Sequence, residues 1–158
     1  MKKLRVGWFT FTCCEDSTII FTELLNTHFQ EWIDRIEFIY AKVLQGKNTW
    51  KDMDVAFVEG AISSAIQEEK LRKIRALAKK LVSIGACACV GMPSSQRNTF
   101  DSSAKTEINM LLLRFQQAEW VKTIAQVVAV DDFVQGCPMN ELVFLQTLNK
   151  YLKEFNII

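Results

Sequence analysis

The sequence predicts an α/β protein of flavodoxin-like type, an open parallel sheet with helices on both faces. Short runs rich in β-branched and aromatic residues alternate with segments of helical periodicity, which is the pattern of a parallel sheet. The run "MDVAFVEGAI" (53–62) is compact and apolar before Glu-Gly, as a buried strand entering a loop should be. At 158 residues the chain is sized for one domain, residues 1–158, with a sizeable core.

The elements follow in order. "KLRVGWFTFT" (3–12) reads as a strand. "DSTIIFTELLNTHFQEWI" (16–33) places Ile19, Ile20, Leu24, Phe29 and Ile33 near helical spacing, with Asp16 or Ser17 as the N-cap. "RIEFIYAKV" (35–43) alternates as a second strand, and 53–62 is the third. "SAIQEEKLRKIRALAKK" (64–80) is the clearest helix, acidic early and basic late, with a stripe through Ile66, Leu71, Ile74 and Leu77. "LVSIGACACVGMPSSQRN" (81–98) reads as a strand running into a loop, and 102–120 as a helix. "TIAQVVAV" (123–130) has strand character. Residues 131–155 give a loop and a final helix, with Pro138 in its first turn and Glu141 at its N-terminal end.

Composition removes several functional classes. The net charge is +1, from 19 basic and 18 acidic residues, whereas a sequence-independent nucleic-acid binder carries a basic excess. No apolar run approaches the roughly 18 residues of a membrane span, and nothing in "MKKLRVGWF" marks export. A cytoplasmic protein with no direct membrane insertion is the expectation.

Five cysteines, at positions 13, 14, 87, 89 and 137, carry the most information. Without a secretion signal they do not read as a disulfide framework, which leaves metal or redox chemistry. Cysteines also pack as small hydrophobes, but packing gives no reason to choose three strand ends. Cys13/Cys14 follow the first strand, Cys87/Cys89 the strand at 81–84, and Cys137 the run at 123–130. In an open parallel sheet those carboxyl ends share one edge, where ligands bind. Thiolates suit zinc or an iron–sulfur cluster. The C-C and C-x-C pairs are too tight for a zinc knuckle, which takes a C-x₂-C pair from each of two turns. A 4Fe–4S cube offers separate irons to neighbouring residues, and Gly85, Gly91 and Gly136 let backbone approach its sulfides.

At these residues the sequence resembles the small subunits of nickel–iron hydrogenases and the homologous 20 kDa cluster-bearing subunit of respiratory complex I. The motifs are "TCCEDS" (12–17), "DVAFVEGAI" (54–62), "VSIGACACVGMPSSQRN" (82–98) and "VQGCPMNELV" (134–143), in the family's order through nearly the whole chain. The resemblance implies one proximal 4Fe–4S cluster held by Cys13, Cys14, Cys87 and Cys137. Cys87 meets the family's G-x-C in "GAC", which leaves Cys89 as a neighbour. Adjacent cysteines are typical of the complex I subunit, while many hydrogenases have C-x-x-C; the "VEGAI" and "GCPMNE" forms look more like cytosolic soluble hydrogenases. No cysteine follows Cys137, so a minimal, single-cluster form is implied, and there is no twin-arginine signal.

The implied role is electron transfer with a separate large subunit that holds the nickel–iron centre, in a heterodimer or larger assembly with further electron-transfer subunits. No residue of this chain is implied as a nucleophile or general base. A complex I-like subunit passing electrons to quinone is the alternative, and a zinc or redox-sensing module a third reading. Glu15 reads as a solvated charge, with a proton path as its alternative, and Glu59 as a residue beside the cluster or the interface. His28, the only histidine, reads as a surface or partly packed residue, and Arg97 as a contact to cluster, loop or partner, with a solvated loop charge as its alternative. Trp8, Phe9 and Phe11 read as core and interface, and a large partner interface is expected over the cluster edge.

Overall fold

The computed structural model describes residues 2–158 and contains one five-stranded parallel sheet, in the order β2-β1-β3-β4-β5. Its strands are β1 (Leu4–Thr10), β2 (Ile36–Ala41), β3 (Met53–Glu59), β4 (Ala78–Ile84) and β5 (Asp132–Val134). The helices are α1 (Asp16–Trp32), α2 (Ala65–Leu77), α3 (Gly85–Val90), α4 (Ser102–Arg114) and α5 (Glu141–Glu154). This is the flavodoxin-like α/β architecture that the alternation of runs predicts. Among the described residues no helix is long and apolar enough to cross a membrane.

Side chains leave a strand on alternate faces, and the two faces have different covers. Leu4, Val6 and Trp8 join Val55, Phe57, Val82 and Ile84 under α1 and α5. Phe9, Met53, Ala56, Val58 and Leu81 join Leu71 and Ile74 of α2. Every residue of β3 is buried, as its position between β1 and β4 demands. The first layer centres on aromatic packing: Trp8 stacks on Phe21 with ring centroids 4.1 Å apart, and Phe144 meets Trp8, Phe21, Phe57 and Trp32 edge-on.

Several local expectations change. In α1 the inward face carries Phe21, Leu24 and Trp32, while Ile19, Phe29 and Ile33 are exposed. Its N-cap is Glu15, in the left-handed region at φ 66° and without a side-chain cap, rather than Asp16 or Ser17. The helix at 64–80 ends at Leu77, because Ala78–Lys80 pair with Met53–Val55 as the start of β4, and Ile66 is exposed. The segment after Ile84 is not all loop: residues 85–90 form α3, which ends at Gly91. No strand forms at 123–130. Thr123 and Gln126 cap a 3₁₀ turn at Ile124–Gln126, whose Ile124 buries itself against the α2 layer instead of joining the ladder. The fifth strand lies just beyond, at 132–134, so Cys137 still follows a strand end. The last helix starts at Glu141 under an Asn140 cap, which leaves Pro138 in the preceding loop.

Asp54 anchors the opposite edge of the sheet. It is buried and accepts bonds from the Arg5 amide at 3.0 Å, the Arg5 guanidinium and Lys79 Nζ at 2.8 Å. Burial works to raise this carboxyl, but the bonds from Arg5 and Lys79 outweigh it and hold it below its ordinary value. The unfolded chain therefore takes up this proton at higher pH than the folded one. The stability it contributes is complete above about pH 4 and lost as pH falls through the folded value. Asp54→Asn is expected to unfold at lower urea than wild type at pH 7, with the gap narrowing below about pH 4. A gap independent of pH would refute the role. Phe144→Ala, which empties the aromatic layer, is expected to cost about 3–5 kcal/mol in urea unfolding.

Candidate metal centre

Three loops meet at the carboxyl edge of the sheet. The loop after β1 carries Cys13 and Cys14, the β4–α3 junction leads to Cys87, and the loop after β5 carries Cys137. All four cysteines line one small cleft, together with Ser17, Glu59, Gly85 and Gly136. Cys14 and Cys137 are exposed, Cys13 is half-buried and Cys87 is buried. A larger cavity, about 600 Å³, runs along α2 past Trp50, Ile66 and Leu77 and touches none of them.

Each loop is tied to the other two. The Ala86 amide donates to Gly136 O at 2.7 Å, joining the Cys87 and Cys137 segments. The Met139 amide donates to Ser17 Oγ at 3.2 Å, joining the Cys137 loop to the start of α1. Ser94 Oγ lies 2.9 Å from Thr12 O, joining the segment after α3 to the Cys13 loop. The glycines in the motifs permit these approaches. Gly136 has φ +123°, and a Cβ there would lie 2.4 Å from Pro138 O; Gly85 has φ +78°, and its Cβ would meet Ser17 Oγ at 2.9 Å.

Glu59 closes the floor. It is 3% exposed, and its Oε1 and Oε2 accept bonds from the Ser17 amide at 3.0 Å and Thr18 Oγ1 at 2.6 Å. It thus caps α1 from the end of β3, where the N-cap Glu15 makes no side-chain cap bond of its own. Thr18 Oγ1 in turn accepts from Trp8 Nε1 at 2.8 Å. Burial raises the Glu59 carboxyl above its ordinary value against the bonds from Thr18 and Ser17. Burial, and then the Glu59 charge, push the Cys13 thiol up to about 12, so binding a metal there must displace a proton.

The remaining candidates lie elsewhere. Cys89 is outside the cleft; its thiol faces Ser83 O at 3.4 Å and Val134 O at 3.8 Å, between β4 and β5. His28 stacks on Trp32 and sits 3.6 Å from Glu31, away from the cleft. Arg97 is a brace, its Nη2 donating to Ser63 O and Ala118 O at 3.2 and 2.6 Å. Glu15 is exposed, and Trp8, Phe9 and Phe11 are core residues rather than an exposed interface. Ser17 and Ser94 escape sequence reading because their partners lie 122 and 82 residues away.

The cleft gathers four thiols from three loops. Among the described residues, no three His, Cys, Asp or Glu side chains converge closely enough to hold a single ion. Thiols are the side chains that zinc and iron–sulfur clusters both take as ligands.

No curated protein sequence matches the chain. Among solved structures it is similar to a chain of NAD+-reducing [NiFe]-hydrogenase in the H2-reduced state. That match has a TM-score of 0.79 and 23% identity, over 96% of this chain and 93% of the other. It is also similar to a chain of the membrane-bound sulfane sulfur reductase, an archaeal respiratory membrane complex. There the TM-score is 0.52 and the identity 12%, over 94% of this chain and 69% of the other. At these identities the likenesses establish the fold. The family model described as NADH ubiquinone oxidoreductase, 20 Kd subunit, matches residues 13–151, cysteine motifs included, and the chain belongs to that oxidoreductase family.

Proposed function

We propose that this chain is the electron-transfer small subunit of a soluble, cytoplasmic nickel–iron hydrogenase. In this reading residues 1–158 form a single proximal-cluster domain, and one 4Fe–4S cluster is ligated by Cys13, Cys14, Cys87 and Cys137. The observation that carries the reading is the shared cleft: of the five cysteines, the four in the family-like motif positions line it and Cys89 does not. When bound, such a cluster supplies one-electron transfer to and from the nickel–iron site of a separate large subunit.

The chain's own part is to hold and shape. Cys13 and Cys14, on adjacent residues, serve two corners of the cluster, while Cys87 and Cys137 close the others from the far loops. Glu59 fixes the start of α1 beneath Cys13 and Cys14 without serving as a ligand. A large partner has apolar surface to cover. Val90 and Met92, on the segment after Cys87, are 57% and 46% exposed, and Met110, Leu113 and Phe115 project from the end of α4. The likeness to the NAD+-reducing hydrogenase chain over nearly the full length of both supports the hydrogenase reading.

The family description favours a second reading, a complex I-like subunit passing electrons to quinone. Metal analysis of the natively isolated, anaerobically purified complex separates the readings. Nickel with iron in excess is expected; iron without nickel would move the assignment to the quinone-linked subunit, and zinc alone would sink both. Within the chain, Cys14→Ser or Cys137→Ser is expected to lower bound iron and abolish electron transfer. Cys89→Ser, whose hydroxyl can take over the bonds to Ser83 and Val134, is expected to retain both. Iron lost on Cys89→Ser but kept on Cys87→Ser would overturn the ligand set.

A further inference from the structure

Ser94 lies in the 82–98 motif without being one of its cysteines, and its hydroxyl touches one of the proposed ligands. Its Oγ lies 3.2 Å from Cys87 Sγ and 2.9 Å from Thr12 O. One hydroxyl proton serves one of these acceptors at a time. Thr12 O has a second donor, the Ala61 amide at 2.9 Å, so it stays bonded when Ser94 turns to sulfur. A metal-bound thiolate has no proton to give and only accepts, so it draws the serine proton to itself.

The segment around Ser94 is clamped, which keeps the hydroxyl in place. The Ser95 amide donates to Gly91 O at 2.8 Å, and Arg97 is pinned to Ser63 and Ala118. Asn98 exchanges two bonds of 2.8 Å with the Val121 backbone. Ser94 itself is half-buried, so water competes weakly for its proton.

We propose that Ser94 is a positioning residue that donates a hydrogen bond to the ligating sulfur of Cys87 and raises the reduction potential of the cluster held there. This rests on the cluster reading above. Reduction by one electron places part of the added charge on the ligand sulfurs. A donor aimed at one of them stabilises the reduced state more than the oxidised one. The hydroxyl transfers no proton; it only reorients between carbonyl and sulfur.

The test is a dithionite titration of the full chain, reconstituted anaerobically with iron and sulfide and followed by electron paramagnetic resonance. Ser94→Ala is expected to bind as much iron as wild type. Its midpoint should move to more negative potential by on the order of tenfold in the reduction equilibrium, about 59 mV for one electron. Ser94→Thr should restore the wild-type midpoint and Ser94→Val, of the same shape without the hydroxyl, should not. This pair decides the matter where alanine loosens the loop. Equal midpoints for the threonine and valine variants would overturn the proposal while leaving the cluster intact. A wild-type chain that takes up no iron and sulfide would overturn the cluster reading itself, and this inference with it.

Discussion

The Glu59 carboxylate is the constraint on which the cysteine edge depends. A buried carboxylate is costly unless donors satisfy it, and here they come from the helix it faces: the Ser17 amide and the Thr18 hydroxyl. The same contacts give α1 the side-chain cap that its own N-cap, Glu15, does not make. Through Thr18 the clasp reaches Trp8 in the aromatic layer, so β1, β3 and α1 are fixed relative to one another beside Cys13 and Cys14. Core packing and site geometry are therefore coupled through one side chain.

From that fixed point the other two loops are registered by hydrogen bonds rather than by apolar packing. Ala86 to Gly136, Met139 to Ser17 and Ser94 to Thr12 form a closed set of ties between the three cysteine-bearing segments. Such a frame places the thiols by the chain's own hydrogen bonds, so that no binding energy would be consumed in ordering the loops. The positive φ of Gly85 and Gly136 belongs to this frame, since a side chain at either position would strike the atoms that make it. Cavity size is a poor guide here. The four cysteines gather in a small cleft, and a larger cavity runs along the outside of α2.

Family membership and geometry meet at the cysteines. The matched region begins at Cys13 and includes every cysteine of the chain. The cleft then distinguishes Cys89, which turns between β4 and β5, from Cys87 two residues earlier on the same short helix. Residues two apart on a helix point in different directions, so one of a C-x-C pair on α3 faces the cleft and the other does not.

The sequence by itself determined the order and type of most elements, the parallel sheet and the placing of cysteines at strand ends. These are properties of local composition: a β-branched run, a helical stripe or a Gly-Cys-Pro turn is legible wherever it occurs. Tertiary structure decided the rest. The α1 face carrying Phe21 and Trp32 is set by Trp8 and Phe144, not by periodicity alone. Ala78–Lys80 are strand because Met53–Val55 offer them partners, and Ile124 leaves the ladder because α2 offers it a buried seat. Glu59 as a cap and Ser17 and Ser94 as ties have partners 41 to 122 residues away. A contact at that separation leaves no periodic trace in the chain; it exists only once the sheet has brought its strand ends to one edge.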